Sequence, residues 1–253
     1  MVEFTTEGHV AVLTINRPEA KNAVNGAVAQ AMEAGIDRLE EDDDLWVGVI
    51  THVGDVFCAG ADLKEINAGN AGGLATAKGG FAGFASRERT KPVIAAVDGP
   101  ALAGGCEITL AADLIVASKR ARFGVPEVKR SLVAAAGGLF RLPRAIPPKI
   151  ALEMVLTGDP ISAEVAHHHG LVNRLVEDGQ AFAAALELAA AICANAPIAV
   201  RESRKVTLAA LTSSDKDLWK MSNESMAKAM SSEDLSEGLM AFIEKRPPVW
   251  KGR

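Results

Sequence analysis

Two glutamates, Glu107 and Glu127, follow two glycine-broken turns whose composition suits an oxygen-binding site. The turns are Phe57-Cys-Ala-Gly-Ala-Asp-Leu63 and Asp98-Gly-Pro-Ala-Leu-Ala-Gly-Gly-Cys-Glu107. Each is typical of a strand end, a tight turn and the start of a helix. Free backbone N–H groups gather at such a start, and the helix dipole adds partial positive charge there. If the two turns converge, they can bind a carbonyl oxygen that becomes negatively charged.

Two carboxyl groups beside that oxygen would complete a site that handles water and a proton. One carboxylate can deprotonate a water molecule while the other group, as a neutral acid, supplies a proton. The apolar run after Glu127 favours a raised pKa for that carboxyl. Taken singly, each residue has a plainer explanation, because Glu107 can complement a helix dipole and Glu127 can be a surface residue after a proline turn. Taken together, the pair predicts chemistry on an acyl thioester.

The composition limits the class of protein. The chain has 253 residues, of which 49% are hydrophobic and 4% aromatic, so it suits one large α/β domain with an aliphatic core and room for a helical appendage. A net charge of −5 argues against nucleic acid as the main partner. No apolar stretch reaches about 20 residues without a charge or a Gly or Pro break, so we expect no membrane span. Three cysteines without a CxxC pattern favour reduced thiols and a cytoplasmic location.

Hydrophobic periodicity predicts strands alternating with helices up to residue 176 and helices alone thereafter. We predict strands at 2–7, 10–15, 47–51, 93–97, 114–117, 122–124 and 172–176. We predict helices at 25–41, 63–66, 104–112, 137–143, 147–156, 163–169, 181–194, 198–211, 218–230 and 235–245. Such alternation favours an α/β sheet covered by helices. We place a boundary near Ala196-Pro197, which divides a core of residues 1–196 from a helical region of residues 197–253. The Gly- and Ala-rich segment 68–84 is expected to be mobile, and its part 69–83 to widen a nearby pocket.

Two other kinds of site are not expected. His167, His168 and His169 are consecutive, and consecutive helix residues point about 100° apart, so the three rings cannot converge on one metal ion. No GxGxxG motif occurs, which argues against a dinucleotide cofactor.

Six segments, in chain order, resemble the crotonase (enoyl-CoA hydratase/isomerase) superfamily. They are Asn16-Arg-Pro-Glu-Ala-Lys-Asn-Ala23, Phe57-Cys-Ala-Gly-Ala-Asp-Leu-Lys-Glu65, Ala101-Leu-Ala-Gly-Gly-Cys-Glu107, Phe123-Gly-Val-Pro-Glu127, Ala136-Gly-Gly-Leu-Phe-Arg-Leu142 and Leu156-Thr-Gly-Asp159. The resemblance runs from about Val10 to the end of the chain. Within the superfamily, Phe140-Arg-Leu-Pro-Arg144 and the segment 241–253 are most similar to the carnitinyl-CoA dehydratase-like branch.

The resemblance implies a fold and an assembly. The fold would be a spiral of ββα units that forms two roughly perpendicular sheets, followed by a C-terminal helical region that builds trimers. Such trimers often pair into hexamers, so the expected partners are further copies of this chain and an acyl-CoA thioester.

The resemblance also implies roles for individual residues. The backbone N–H groups of Ala61 and Gly104 would form the oxyanion hole, and Glu107 and Glu127 would be the two catalytic glutamates. Further residues would contact the substrate or its coenzyme A: Lys21, Ala23, Ala59, Asp62, Leu63 and Lys64. For Asp62 a helix cap is the structural alternative, and for the lysines plain solvation is. Arg17 is a further candidate for a phosphate contact, and Phe242 and Lys245 are candidates for reaching the nucleotide of a neighbouring subunit.

The activity implied is that of an enoyl-CoA hydratase, which adds water reversibly across the 2,3 double bond of a 2-enoyl-CoA. No metal or redox cofactor would be needed, because coenzyme A is part of the substrate. The alternatives are a carnitinyl-CoA-type dehydratase, an enoyl-CoA isomerase and, more remotely, a non-catalytic binding or scaffold protein. Small alanines in Leu132-Val-Ala-Ala-Ala136 would leave space for a branched or bulky acyl group.

Overall fold

A computed structural model describes residues 1–253 and has the predicted alternation of strands and helices. Its strands are β1 Val2–Glu7, β2 Val10–Ile15, β3 Val47–His52, β4 Ala75–Thr76, β5 Gly80–Phe81, β6 Val93–Val97, β7 Ala101–Leu102, β8 Leu114–Ser118, β9 Arg122–Gly124, β10 Ile161–Ser162 and β11 Arg174–Val176. Its helices are α1 Gly26–Glu41, α2 Leu63–Asn67, α3 Gly104–Ala111, α4 Gly138–Ala145, α5 Pro148–Thr157, α6 Ala163–His168, α7 Ala181–Cys193, α8 Pro197–Ala209, α9 Asp215–Met230 and α10 Glu233–Glu244.

The larger sheet has six strands in the order β1-β2-β3-β6-β8-β11. The hairpin β1-β2 is antiparallel, whereas every other neighbouring pair is parallel. Successive side chains of a strand point to opposite faces, so β2 sends Leu13 into a core that contains Met32 of α1, and Val12 into a second core that contains Ala185 of α7. The central strands are mainly apolar because both faces of the sheet are covered.

A second sheet of three strands, β10-β9-β7, lies beside the point where the chain leaves the larger sheet. The units β6-β7-α3 and β8-β9-α4 each place their first strand in the larger sheet and their second strand in the smaller one. This is the repeated ββα arrangement that the resemblance implied. Since β7 ends at Leu102 and α3 begins at Gly104, one residue, Ala103, connects sheet and helix.

The structure differs from the sequence pattern in two places. Segment 68–84 has more to pack against than its composition suggested, because it forms the hairpin β4-β5 and buries Leu74 and Phe84. Gly83 lies so close to α1 that a Cβ there would be 2.1 Å from the carbonyl oxygen of Ala29. In addition, α4 does not end at Pro143 but continues to Ala145. Proline at that position removes one backbone donor without ending the helix.

The C-terminal region consists of helices that pack on one another and on the core. α8 contacts α9 along its length, and Arg204 of α8 pairs with Asp113 at 2.8 Å. The chain end returns to the core, where the indole of Trp250 donates to the carbonyl oxygen of Ala194 at 2.8 Å. Large apolar side chains on α9 and α10 remain exposed, among them Trp219 at 71% and Phe242 at 84%. None of the helices alone has the length and apolar character to cross a bilayer. The pair α7 and α8, which is bent by 105°, reaches that length and apolar character only when the two helices are taken together.

Candidate active site

All ten residues predicted to form the site line a single cleft of about 1240 Å³. These residues are Lys21, Ala23, Ala59, Ala61, Asp62, Leu63, Lys64, Gly104, Glu107 and Glu127. Most of the other lining side chains are apolar, so the cleft offers a dry surface with a few polar groups in defined positions. Lys21 and Lys64 lie exposed at its edge, whereas Phe242 and Lys245 lie outside it.

The first turn directs the N–H of Ala61 away from its neighbours. Val24 donates to the carbonyl oxygen of Gly60 and accepts from the N–H of Asp62, both at 2.8 Å, in a parallel bridge centred on Ala61. Successive peptide groups of an extended segment point in alternating directions, so the N–H of Ala61 points to the side opposite Val24. This N–H donates to no group of the protein.

The second turn presents the N–H of Gly104. Ala103 has φ 52° and ψ −128°, a conformation that residues with a Cβ rarely adopt, and its own N–H is held by the carbonyl oxygen of Gly124 at 2.9 Å. Such strain persists only where the surrounding structure enforces it. Gly104 is the first residue of α3, so its N–H has no acceptor within the helix and none elsewhere in the protein.

The two turns touch each other at Gly60. A Cβ added to Gly60 would lie 2.7 Å from the Cβ of Ala103 and 3.0 Å from the backbone nitrogen of Gly104. Gly60 also has φ +95°, which favours glycine. The residues that flank this contact, Ala61 and Gly104, each have an unpartnered N–H group, and both line the cleft.

Glu107 lies in the first turn of α3 and is almost completely buried. Its Oε1 accepts a hydrogen bond from the N–H of Gly138 at 2.9 Å. Burial raises the pKa of Glu107 to about 7, although the hydrogen bond from Gly138 favours the ionised form. The nearby charge of Glu127 raises this pKa further, whereas the positive charge of Arg141 lowers it. The group is thus balanced between its two protonation states near neutral pH.

Glu127 lies in a short 3₁₀ helix, Pro126–Arg130, which follows β9. It is half-buried, and its Oε2 is inaccessible to solvent and lacks a hydrogen-bond partner. Burial raises the pKa of Glu127, as expected from the apolar run in the sequence. The sequence argument did not anticipate that burial would also raise the pKa of Glu107. A surface position for Glu127 does not fit this burial.

Asp62 has the structural role that the sequence offered as its alternative. Its Oδ1 accepts from the N–H of Lys64 at 3.0 Å, which caps α2, and its Oδ2 accepts from Arg17 at 2.7 Å. Arg17 also donates to the carbonyl oxygen of Ala23 at 3.0 Å. The guanidinium of Arg17 thus ties the turn at Ala61 to the segment before α1.

Sequence reasoning missed the parts played by Asn22 and Phe81. Asn22 is fully buried and accepts from the N–H of Arg17 while donating to the carbonyl oxygens of Val53 and Val56. Asn22 belongs to the segment 16–23, which the sequence marked only by its resemblance to the crotonase superfamily. Phe81 packs on Gly104 so closely that a Cβ there would lie 2.3 Å from its ring. No local pattern indicates that contact, because a hairpin from a distant part of the chain brings the ring there.

No group of three His, Cys, Asp or Glu side chains is arranged to hold a metal ion. The groups of the cleft that could take part in proton transfer to a thioester are the two amide donors of Ala61 and Gly104 and the carboxyls of Glu107 and Glu127, set in a mainly aliphatic wall.

Comparisons with known proteins agree with this fold and site. The model of the family "Enoyl-CoA hydratase/isomerase" matches residues 5–253. The chain is 40% identical to a mevalonyl-coenzyme A hydratase of Aspergillus fumigatus, over 99% of this chain and 94% of that protein. It is 38% identical to a carnitinyl-CoA dehydratase of Proteus mirabilis, over 100% of this chain and 98% of that protein. A crystal structure of an enoyl-CoA hydratase from Mycobacterium tuberculosis superposes with a TM-score of 0.96 at 45% identity, covering 100% of this chain and 99% of the other.

These matches span nearly the whole chain, and the chain belongs to the enoyl-CoA hydratase/isomerase family. The resemblance to the crotonase superfamily and its carnitinyl-CoA dehydratase-like branch is confirmed, as is the fold.

Proposed function

We propose that this enzyme adds water across the 2,3 double bond of a 2-enoyl-CoA thioester, and that it catalyses the reverse dehydration. The observation that carries the proposal is that two residues with unpartnered N–H groups, Ala61 and Gly104, line the cleft that also holds Glu107 and Glu127. The thioester oxygen would accept both hydrogen bonds. Losing one such donor typically costs about 100- to 1,000-fold in turnover.

The two carboxyls would divide the proton transfers. Glu107, as a carboxylate, accepts a proton from the water whose oxygen bonds to C3. Electrons of the double bond move onto the thioester oxygen, and Glu127, as a carboxylic acid, returns a proton to C2 as the carbonyl re-forms. The raised pKa values of both groups support an arrangement in which one proton is shared between two acids near neutral pH. Dehydration follows the same path with the roles reversed.

The reaction needs no cofactor in this proposal, since coenzyme A arrives with the substrate. Lys21 and Lys64, exposed at the edge of the cleft, would contact its phosphates, and Ala23, Ala59 and Leu63 would line its path. Asp62 would act indirectly by fixing the turn that carries Ala61. The other end of the cleft is lined by Leu132, Val133, Ala135 and Ala136, which suits an apolar acyl group of some bulk.

A dehydratase acting on a hydroxyacyl-CoA is the second candidate. It is favoured by the likeness to the protein named carnitinyl-CoA dehydratase, and it would use the same groups in the opposite direction. A panel of enoyl-CoA and 3-hydroxyacyl-CoA thioesters separates the two candidates by comparing kcat/KM. Isomerisation would be detected as movement of the double bond without uptake of water.

The direct test follows the loss of enoyl-thioester absorbance with crotonyl-CoA and with longer and ring-bearing enoyl-CoAs. Glu107→Gln and Glu127→Gln should each lower kcat by orders of magnitude while thioester binding persists. Glu153→Gln is a matched control, because Glu153 is exposed on α5 and lies outside the cleft. Unchanged turnover in either cleft variant would refute the assignment of roles.

We also propose that residues 197–253 form an oligomerisation region that assembles homotrimers, with pairing into hexamers as an alternative. The exposed apolar side chains of α9 and α10 support this, since patches of that kind commonly mark protein interfaces. Phe242, which lies outside the cleft of its own chain, would then be available to a neighbouring subunit. Light scattering that gives the mass of a monomer would refute the proposal.

A further inference from the structure

Arg141 is half-buried in α4 and lines the cleft close to Glu107. Its Nη1 donates to the carbonyl oxygen of Ala136 at 3.2 Å. The guanidinium also lies over the backbone of Gly137, where a Cβ would be 2.3 Å from Nη1. Gly137 has φ +113°, so the turn already depends on glycine. One side chain thus holds the turn at residues 136 and 137.

The same turn holds the carboxyl of Glu107. The N–H of Gly138, the next residue, donates to Oε1 of Glu107 at 2.9 Å. The fit is tight, because a Cβ on Gly138 would lie 3.1 Å from that oxygen and 2.9 Å from the Cβ of Ala134. Any movement of the turn therefore moves the donor that orients the carboxyl.

The charged and titratable groups around Glu107 come from three elements. Glu127 faces it from the 3₁₀ helix at 126–130, and Arg141 faces it from α4. Cys106, its neighbour on α3, is a fully buried thiol whose pKa burial raises, so it carries no charge. The positive charge of Arg130 lowers the pKa of Glu127 instead. Arg141 is thus the cation whose charge acts on Glu107, and the charge of Glu107 acts on Arg141 in return.

We infer that Arg141 is a positioning residue for Glu107, because its guanidinium fixes the turn at residues 136–138, which orients the carboxyl of the base, and places a positive charge in the same cleft. The inference rests on the proposed function for its effect on turnover. The two effects of Arg141 are separable, because the hydrogen bond to Ala136 depends on the shape of the side chain and the second effect depends on its charge.

The charge matters because a buried carboxyl beside another carboxyl tends to stay protonated. A protonated Glu107 cannot accept the proton of the attacking water. A nearby cation opposes both burial and the second carboxyl, so the positive charge of Arg141 lowers the pKa of Glu107. Without Arg141, Glu107 would be protonated over a wider range of pH.

The test compares Arg141→Met, which removes the charge, with Arg141→Lys, which keeps it. In Arg141→Met, the acid limb of the kcat profile should move up by roughly one pH unit, with about a 5-fold loss of kcat at pH 7. Arg141→Lys should return the limb to near its original position. Arg144→Met is the matched control, since Arg144 is on the same helix as Arg141 but is exposed and does not line the cleft. Its guanidinium lies over the ring of Phe140 at 5.4 Å. If the acid limb of the kcat profile does not move in Arg141→Met, the inference is overturned.

A second readout does not depend on turnover. Infrared difference titration, with Glu107→Gln as the reference, measures the pH at which the carboxylate of Glu107 becomes protonated. This midpoint should rise in Arg141→Met and stay near its original value in Arg141→Lys and Arg144→Met. If the protein hydrates no enoyl-CoA, the proposed function fails and the titration still decides the inference. If turnover is found but the midpoint is the same in all variants, the inference alone fails.

Discussion

Gly60 gives the sharpest test of the proposed oxyanion hole, because it separates a steric effect from a backbone effect. In Gly60→Ala, the new methyl group would lie 2.7 Å from the Cβ of Ala103 and 3.0 Å from the nitrogen of Gly104. Non-bonded carbon atoms prefer about 3.5–4.0 Å, so the two turns must separate by about 1 Å. The change leaves every charged and hydrogen-bonding side chain in place.

The consequence for turnover follows from the geometry of the donors. Oxyanion donors act at about 2.7–3.1 Å, so a displacement of about 1 Å removes one of them and should lower kcat by about 100- to 1,000-fold, or roughly 3–4 kcal/mol. Alanine in the left-handed region also costs about 1–2 kcal/mol of stability. Gly170→Ala is the matched control for that cost, because Gly170 has φ +85° and nothing within 4 Å of its added Cβ.

The assay measures kcat for crotonyl-CoA in both variants and in the unmodified protein, with urea unfolding for stability. Both variants should lose stability, and Gly60→Ala alone should lose turnover. Full turnover in a folded Gly60→Ala variant would show that the contact between the two turns does not set the positions of the donors. An equal loss of turnover in Gly170→Ala would show that backbone strain alone accounts for the effect.

Three further predictions concern charge and assembly. Burial raises the pKa of Glu107 from 4.5 to about 7, so its contribution to stability is present below pH 4.5 and is lost as the pH rises through 7. The free energy of unfolding of Glu107→Gln, measured with urea, should therefore exceed that of the unmodified protein by about 3–4 kcal/mol at pH 8 and equal it at pH 4. Arg17→Met and Asp62→Asn should each lower kcat about 10-fold, and the double variant should be no worse than either, because both changes break the same ion pair. This result corresponds to a coupling energy of about 1–3 kcal/mol between the two residues. If the two losses simply add in the double variant, the prediction is wrong. Light scattering should give the mass of a trimer or hexamer, and Trp219→Glu with Phe242→Asp should shift it towards the monomer; an unchanged mass would exclude these side chains from the interface.

The parts of the site that were predictable from the sequence are those set by local turn chemistry. A glycine-broken strand end followed by an apolar helix predicts a turn with free N–H groups, whereas the choice of Ala61 and Gly104 within the two turns came from the resemblance to the crotonase superfamily. The position of Glu107 followed as well, because it is three residues after Gly104 in the same first turn. Pairing of the strands at β3, β6 and β8 then brings the separate turns to one edge of the sheet.

The parts that were not predictable depend on contacts between distant segments. Phe81 reaches Gly104 because the hairpin β4-β5 is anchored on α1, where Lys78 and Arg87 both pair with Asp37. Gly83 of that segment allows the backbone to approach α1 closely, a contact that the glycine content alone does not indicate. Arg141 was not predictable from the sequence for the same reason, since its effect on Glu107 depends on how α4 packs against α3.

The electrostatics of the cleft explain why two glutamates can act in both directions of one reaction. Two ionised carboxylates in a mainly apolar cleft would repel each other, and two neutral acids would leave no base, so the useful state holds one proton. Burial and the mutual effect of the pair raise the pKa of Glu107 to about 7, while Gly138 and Arg141 favour its ionised form. In the proposed mechanism, hydration leaves Glu127 ionised, because its proton goes to C2, and leaves Glu107 protonated, because it takes a proton from the water; dehydration reverses both transfers. A site that held either group fully ionised at neutral pH would favour one direction of proton transfer, whereas this balance keeps both available.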